Sequence, residues 1–337
     1  MSDAARKGVL AGGSFIVDFV KIINDWPEQE TLASISKETA SNGGGPYNTL
    51  RDLAVLQPSL TLEACGLLGE DANGDWIIDD CRRHGIDGSQ LQRTADAITS
   101  YTDAMTVSST GKRTFFHHRG ANALLGPEHF SFTKTNCKIF HLGYLMLLDR
   151  LDQIDKNRSC GAAEVIRAAN EAGLITSVDC VSTPGPSFPQ VVTAALHHVD
   201  FLFINEFESA QVLGRDVPAE REAMLAAARD LGKLGSARST VVLHAANGAV
   251  ALDKHGRSEA IGAAKLPKEN IVGATGAGDA FAAGFLLGVH EDLGPANCLR
   301  YAVSSAAMSL SHATPSEGMK SLSECIALTE EFGLTSF

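Results

Sequence analysis

The sequence predicts an α/β fold, a doubly wound and mainly parallel sheet flanked by helices, with a small β lid inserted into it. Short apolar runs alternate with helical segments along most of the chain, which is the β-α rhythm of such sheets. One stretch, residues 94–118, breaks this rhythm and reads as strands alone. The length of 337 residues and the hydrophobic content of 44% allow a large core without disulfides or structural metal.

The elements follow in order from the first apolar run. Residues 9–20 predict a strand interrupted at Gly12-Gly13, with Asp18 beyond the glycines. Residues 49–56 predict a helix, and residues 61–68 predict the next strand. After residue 138 the alternation resumes, with strands at 139–142, 175–178, 201–204 and 241–243 and helices at 161–172, 220–234, 279–289 and 295–310.

The exceptional stretch is rich in Thr, Val, Phe and Tyr and is broken by Gly111-Lys112, which predicts a β-hairpin. We expect a core formed by residues 1–14, 35–95 and 119–337, and a lid formed by residues 15–34 and 96–118. Closure of the lid would exclude water from a site beneath it. Because sheet edges invite partners, the lid also predicts a homodimer.

Composition argues against several classes of partner and predicts the cellular compartment. A net charge of -12 opposes a general attraction to nucleic acid or to an anionic membrane. The seven cysteines are scattered singly, without a CxxC pair, so neither disulfides nor zinc are expected. The first residues lack the apolar length of a signal peptide or membrane span. These features predict a cytoplasmic protein.

The most informative motif is residues 270–288, NIVGATGAGDAFAAGFLLG. The backbone N–H groups of Gly276, Ala277 and Gly278 could surround an anion at the start of a helix, where the helix dipole adds positive charge. Asp279 follows at once, and the same dipole predicts a low pKa for its carboxylate. In phosphoryl transfer such an aspartate needs position more than basicity. A simple turn with a capping Asp279 remains the alternative.

Two familiar nucleotide-binding patterns are absent from this motif. It is not a Walker P-loop, because no Gly-Lys-Ser/Thr sequence follows the glycines. It is not the dinucleotide fingerprint either, because Phe281 occupies the place of the third glycine. No such fingerprint follows the first strand either, so a Rossmann dehydrogenase is the least supported class.

Other segments supply polar groups that could bind a substrate. Gly43 and Gly44 allow the backbone to approach a ligand closely, and Asn48 offers both a donor and an acceptor to hydroxyls. Asp18 could bind two adjacent hydroxyls. The alternatives are a helix-entry turn for the glycines and a solvated strand end for Asp18.

Asn205 and Glu208 follow an apolar strand, at the edge where open α/β sheets place ligands. Here too the pattern allows a second interpretation. Asn205 could be a helix cap and Glu208 a surface residue.

The segment GATGAGDAF resembles the second signature of the PfkB carbohydrate kinase family, usually written D-T-x-G-A-G-D. GGGPYN at 43–48 is similar to the first signature, and NEFE at 205–208 is similar to the N-x-x-E motif. GLLGEDANG at 66–74 and RGAN at 119–122 resemble further family segments. These similarities span residues 12–279.

The resemblance implies an enzyme that transfers the γ-phosphoryl group of ATP to a hydroxymethyl group of a sugar, with Asp279 as the base. It implies sugar contacts at Asp18, Gly43, Gly44 and Asn48. It also implies that Asn205 contacts the nucleotide and that Glu208 holds hydrated Mg²⁺ near the ATP phosphates.

The chain also departs from the family pattern. Gly273-Ala274 stands where Asp-Thr opens the second signature, and that Asp helps bind potassium in activated members, so a full monovalent cation site is not implied. The nucleotide-side strand VVLHAANGAV matches loosely, leaving Asn247 and Gly248 as candidate nucleotide contacts. The glutamate expected of ribokinases after the strand near Phe140 is absent. The sugar stays open, with a nucleoside kinase or a non-catalytic sugar or nucleotide binder as alternatives.

Overall fold

The computed structural model describes residues 6–183, 185–235 and 239–337, and two sheets organise them. The larger sheet has nine strands in the order β13-β12-β11-β10-β9-β8-β1-β4-β5. The smaller sheet has four strands in the order β3-β2-β6-β7. In chain order the strands are β1 (Val9–Gly13), β2 (Ile16–Ile23), β3 (Ile35–Gly43), β4 (Leu62–Gly69), β5 (Ile86–Thr94), β6 (Tyr101–Val107), β7 (Arg113–His118), β8 (Ile139–Leu145), β9 (Ile175–Cys180), β10 (Phe201–Asn205), β11 (Thr240–Ala245), β12 (Gly248–Leu252) and β13 (Ser258–Gly262).

Helices cover both faces of the nine-stranded sheet. From β5 to β11, in sheet order, each strand pairs in parallel with its neighbour, and β12 and β13 extend the sheet in antiparallel fashion. The helices are α1 (Gly45–Leu56), α2 (Ala72–Arg83), α3 (Gly161–Glu171), α4 (Phe188–Leu196), α5 (Glu206–Leu213), α6 (Arg221–Leu234), α7 (Ala277–His290), α8 (Pro295–Ser309) and α9 (Leu322–Phe332). This architecture confirms the predicted fold class.

The helices form two layers, and each layer has its own apolar core. One core includes side chains of α3, α4 and α6, such as Ile166, Val192 and Leu231. The other includes side chains of α1 and α7, such as Leu50 and Phe285. Both layers bury apolar surface against a sheet whose strands are apolar on both faces, and this burial drives folding.

The four-stranded sheet corrects two sequence-based boundaries. The run at residues 9–20 is not one strand, because Gly13 has φ +125° and the chain leaves the large sheet there. Residues 35–43, assigned to the core from the sequence, form β3 and pair with β2. The strand β2 also pairs in parallel with β6, so both insertions build one sheet. This second sheet fits the predicted lid, and we use that name for it.

All seven cysteines are free and buried. Within the described ranges, no helix is both long enough and apolar enough to cross a membrane.

Candidate active site

A cavity of about 730 Å³ opens at the carboxyl ends of the parallel strands, beneath the lid. Its wall includes the start of α7 at Gly276, Gly278 and Asp279, and it includes Arg113 from the lid. An adjoining cavity of about 480 Å³ has a mainly apolar wall. The two cavities share four wall residues, which are Asn205, His244, Ala274 and Gly278. The shared wall makes the pair suitable for one elongated ligand.

The glycine-rich loop before α7 is held by a backbone turn. Gly276 has φ +80°, a left-handed conformation that favours glycine. The N–H of Ala277 donates to the carbonyl of Ala274 at 3.3 Å, so this predicted anion contact is engaged in the turn itself. The amides of Gly278 and Asp279 belong to the first helical turn, whose N–H groups have no partner within the helix. They are the better placed donors for an anion.

Asp279 lines the larger cavity although its side chain is almost completely buried, with 4% of its surface exposed. Its Oδ2 accepts a hydrogen bond from Asn48 Nδ2 at 2.7 Å, and the hydroxyl of Tyr144 lies 2.8 Å from both carboxylate oxygens. Burial, with the nearby charge of Asp179, raises the pKa of Asp279 to about 8. The low pKa expected from the helix terminus is therefore wrong, because burial and neighbouring carboxylates outweigh the dipole.

The predicted sugar contacts lie close to Asp279, although none of the four is among the described residues that line the two cavities. The Asp18 carboxylate packs against Gly43, where an added Cβ would lie 2.4 Å from Asp18 Cγ. Burial raises the pKa of Asp18 to about 7. Gly44 has φ +89°, and an added Cβ would lie 2.1 Å from the carbonyl oxygen of Ser14. Asn48 bridges Asn42 and Asp279, which orients its amide toward the carboxylate. Their role in sugar binding stays a prediction.

Asn205 and Glu208 form the N-terminal cap of α5. Asn205 Oδ1 accepts from the Glu208 N–H at 2.8 Å, and Glu208 Oε2 accepts from the Asn205 N–H at 3.0 Å. The capping interpretation is thus realised for Asn205. Glu208, however, is buried rather than on the surface, with 3% of its area exposed, and it lines the larger cavity. Burial raises its pKa to about 7.

These residues are compatible with Mg²⁺, which prefers oxygen ligands and keeps several waters. Asn205 and Glu208 line the cavity and carry side-chain oxygens, which accept hydrogen bonds within the cap and, for Glu208 Oε1, from the Ser182 hydroxyl at 2.7 Å. Among the described residues, no group of three or more His, Cys, Asp or Glu side chains could hold a metal by itself. An ion here would therefore depend on waters and on phosphate oxygens, as Mg²⁺ does in nucleotide sites.

The two remaining nucleotide candidates differ in placement. Gly248 lines the apolar cavity. Asn247 lies in the turn between β11 and β12, and its Nδ2 donates to the carbonyl of Ala219 at 2.6 Å. Among the described residues lining the two cavities, Asn247 is absent. Its side chain caps a neighbouring loop, so a nucleotide contact through this amide would require that bond to break.

Sequence reasoning assigned no role to several polar residues of the wall, among them Arg113, Asp179 and His244. Arg113, on β7 of the lid, donates to the hydroxyl of Thr275 and to the carbonyl of Ala313 at 3.0 Å. The imidazole of His244 lies near Gly278, where an added Cβ would be 3.6 Å from His244 Cε1. Burial lowers the pKa of His244 to about 4, so the ring is neutral at pH 7. Asp179 ends a buried strand, as Asp18 does in the sequence, and that signal could have identified it. Nothing in a hairpin sequence distinguishes Arg113.

The sequence matches a known family model and known relatives. The family model described as "pfkB family carbohydrate kinase" matches residues 7–321. Ribokinase of Arabidopsis thaliana is 26% identical over 313 residues, which is 91% of this chain and 76% of the relative. The ATP-dependent ribose-1-phosphate kinase of Halopiger xanaduensis is 27% identical over 304 residues, covering 89% of this chain and 90% of the relative.

A solved structure shows the same fold. Arabidopsis thaliana ribokinase complexed with ribose and ATP superposes with a TM-score of 0.78 at 21% identity, covering 96% of this chain and 99% of that chain. The family match extends over nearly the whole length described above and includes the loop that presents Asp279. The chain belongs to the pfkB family of carbohydrate kinases.

Proposed function

We propose that this protein transfers the γ-phosphoryl group of ATP to a hydroxymethyl group of a sugar. One observation carries the proposal: the carboxylate of Asp279 lies at the start of α7 and lines a cavity that continues into an apolar one. A carboxylate at a helix N-terminus can face both an acceptor hydroxyl and a phosphoryl group. The relatives named as kinases of ribose and ribose 1-phosphate support the same chemistry.

In the proposed reaction the acceptor oxygen forms a bond to the γ-phosphorus while the bond from that phosphorus to the β–γ bridging oxygen breaks. Asp279 accepts the hydroxyl proton, and ADP leaves. The amides of Gly278 and Asp279 stabilise the charge on the transferring group, with Gly276 and Ala277 shaping the turn. Arg113 adds a positive charge from the lid. Mg²⁺ held near Asn205 and Glu208 would neutralise phosphate charge.

The apolar cavity fits the adenine of ATP. Its wall includes Ala245, Ala264 and Phe281, and Gly248 also contributes to it. Apolar walls with few polar groups are typical of sites for flat aromatic ligands. The shared residues Asn205 and His244 then lie between the base and the phosphates.

The test is an ADP-release assay across sugars, comparing wild type with Asp279→Asn. Removing the carboxylate should lower kcat by at least ~10²-fold, the scale of a positioned acid-base group. Thermal melting of both proteins controls for folding. Equal turnover of the two proteins would refute the role of Asp279. Failure to release ADP with any of the sugars would favour the non-catalytic binder.

A nucleoside kinase of the same fold is the second candidate. The observation that favours it is the set of aromatic side chains in the cavity wall, which includes Tyr144 and Phe115, because aromatic rings stack on bases as well as on sugars. Adding nucleosides to the ADP-release panel separates the two acceptors.

We also propose a homodimer formed through the lid, whose apolar side chains Trp26 and Phe116 are each about half exposed. The seven free cysteines fit a reducing compartment, and we propose the cytoplasm.

A further inference from the structure

Asp179 is a buried carboxylate that the proposed reaction does not use. Asp179 lies near the end of β9 and lines the larger cavity, although only 7% of its surface is exposed. Its Oδ2 lies 3.6 Å from Nε2 of His141. Its Oδ1 has no hydrogen-bond partner in the part of the chain that the structure describes. A buried carboxylate oxygen without a donor is costly, which points to a ligand that supplies one.

Asp179 lies on the acceptor side of the cavity. An added Cβ at Gly45 would lie 2.7 Å from the Tyr144 ring and 3.1 Å from Asp179 Oδ2. An added Cβ at Gly143 would lie 2.2 Å from Asp179 Oδ1. The carboxylate is therefore packed between the start of α1 and the end of β8, beside the phenol that contacts Asp279. An acceptor whose hydroxyl reaches Asp279 comes close to Asp179.

The ionisable groups around this acceptor position are predominantly carboxyl groups, and above about pH 8 they are negatively charged. Asp18 and Asp179 both lie near enough to raise the pKa of Asp279. Among the described residues in the cavity wall, Arg113 is the one Arg or Lys, and it donates to Thr275 and to Ala313 on the phosphate side. An anionic group on the acceptor would face carboxylates without a nearby cation, and like charges at short range repel strongly in a poorly hydrated site.

Resting on the proposed kinase function, we infer that Asp179 selects the acceptor, accepting a hydrogen bond from a hydroxyl or amino group of an uncharged or amino-bearing sugar and excluding sugar phosphates and sugar acids. A hydroxyl or amino donor of such a compound satisfies Oδ1 of Asp179. A phosphate or carboxylate group in the same position leaves Oδ1 unpaired and adds charge repulsion. This preference differs from that of the relative named for ribose 1-phosphate. One charged carboxylate beside the acceptor weakens the binding of an anionic acceptor by about tenfold or more. The two carboxylates of Asp18 and Asp179 therefore give roughly 10²-fold discrimination against anionic acceptors.

The first experiment measures kcat/KM for matched acceptors by ADP release. The panel contains ribose, ribose 1-phosphate, ribose 5-phosphate, fructose, fructose 1-phosphate, fructose 6-phosphate, glucosamine and gluconate. We expect the best uncharged or amino-bearing acceptor to exceed every anionic one by at least ~10²-fold. Preferred turnover of a phosphorylated sugar or a sugar acid would overturn the inference while leaving the kinase proposal intact.

Calorimetric binding of the same compounds to Asp279→Asn decides the inference even without turnover. Tighter binding of a neutral or amino sugar than of its phosphate supports it, and the reverse order overturns it. If no compound binds, the inference and the sugar kinase proposal both fail. Absence of turnover with selective binding of a neutral sugar contradicts the kinase proposal alone.

The second experiment tests Asp179 itself with Asp179→Asn, which keeps the shape and removes the charge. We expect kcat/KM for the preferred acceptor to fall about tenfold and the ratio of anionic to neutral acceptors to rise about tenfold. Asp152→Asn is the matched control, because Asp152 is largely buried, has an oxygen without a partner, and is not among the described residues of the cavity wall.

A rival role for Asp179 is metal binding, since its charge also raises the pKa of Glu208. A higher Mg²⁺ requirement in Asp179→Asn, with unchanged acceptor preference, would show that role and overturn the inference. Circular dichroism and melting establish that both variants fold. If Asp179→Asn does not fold, Asp179→Ser, which removes the same charge with a smaller side chain, takes its place with the same expected ratios.

Discussion

The hydroxyl of Tyr144 donates to the carboxylate of Asp279, its oxygen 2.8 Å from both carboxylate oxygens. Burial and the nearby Asp279 carboxylate raise the pKa of Tyr144 well above its usual value, so the phenol keeps its proton and remains a donor. A donor favours the charged form of a carboxylate. Tyr144 therefore opposes the burial and the neighbouring charges that raise the pKa of Asp279.

Replacing Tyr144 by Phe should move the acid limb of the pH profile of kcat/KM to higher pH. A base must be deprotonated to act, and the pKa of Asp279 is about 8 while the phenol donates to it. Loss of a hydrogen bond to a charged group is expected to raise this pKa by about one unit. The measurement is kcat/KM from pH 5 to 10 for wild type and Tyr144→Phe.

Asp179→Asn supplies a control of opposite sign for that profile. Its charge raises the pKa of Asp279, so its removal should move the acid limb to lower pH. Tyr144→Phe and wild-type profiles with the same midpoint would contradict the proposed coupling. A fall in rate at every pH without a shift would indicate that Tyr144 only supports packing.

The buried acids also predict how stability depends on pH. Burial raises the pKa of Asp279 to about 8 and those of Asp18 and Glu208 to about 7. The folded state thus binds these protons more tightly than the unfolded chain, and the stability is lost as pH rises through 7 to 8. His117 and His244, lowered to about 4, act in the opposite direction but below about pH 6.5.

We therefore expect the melting temperature to fall between pH 6.5 and 8.5, and to fall less in Asp279→Asn. The variant should also melt about 2 °C or more above wild type at pH 8.5, because it no longer buries a charge. Differential scanning calorimetry at both pH values checks this. A variant that melts below wild type at pH 8.5 would show that the carboxylate is stabilised in its site.

The sequence predicted the parallel sheet because its buried strands are continuous apolar runs and its helices have clear periodicity. It could not divide residues 9–20 between two sheets, since Gly13 changes the direction of the chain without changing the apolar pattern. It could not place residues 35–43 in the lid either. Their polar, mostly exposed pattern becomes a strand only through pairing with β2.

The same distinction applies to the site. Asp279, Gly276 and Asn48 stand in local motifs, and they were therefore identifiable from the chain alone. Asp179 follows the apolar run at residues 175–178, so it too could have been identified from the chain. Arg113 is brought to the cavity by tertiary structure, and its hydrogen bond to Thr275 spans 162 positions of the chain. The pKa of Asp279 was also beyond local reasoning, because burial and distant carboxylates decide its direction.

Gly276 should not tolerate alanine. Its φ is +80°, and an added Cβ would lie 2.7 Å from Cα of Pro315. We expect Gly276→Ala to lower the free energy of unfolding by about 1–3 kcal/mol, from backbone strain, and kcat by about tenfold or more, from displacement of the helix start.

Gly214→Ala is the matched control for this glycine, because Gly214 has φ +65° but no atom within 4 Å of an added Cβ. It should lose about 1 kcal/mol and keep its turnover. Chemical denaturation and ADP release measure both variants. Equal turnover in Gly276→Ala and Gly214→Ala would contradict a role for the Gly276 turn in catalysis.

Arg113 places a fixed positive charge beside the loop at residues 273–275. Its guanidinium donates to the carbonyl of Ala313 at 3.0 Å and to the Thr275 hydroxyl, and an added Cβ at Gly273 would lie 3.1 Å from its Nη2. With no carboxylate at 273 and a guanidinium close by, a monovalent cation has neither a charged ligand nor a need to be there. Turnover should therefore be the same within about twofold in potassium chloride and in tetramethylammonium chloride at equal ionic strength.

Replacing Arg113 by Gln should lower kcat by about 10²-fold or more, because the change removes a positive charge near the transferring phosphoryl group. Arg119→Gln is the control, since Arg119 pairs with Asp149 at 2.8 Å and is not among the described residues of the cavity wall. A wild-type rate that rises more than tenfold with potassium would refute the prediction, as would recovery of Arg113→Gln by added potassium, because that recovery would show that an ion can bind without the missing carboxylate.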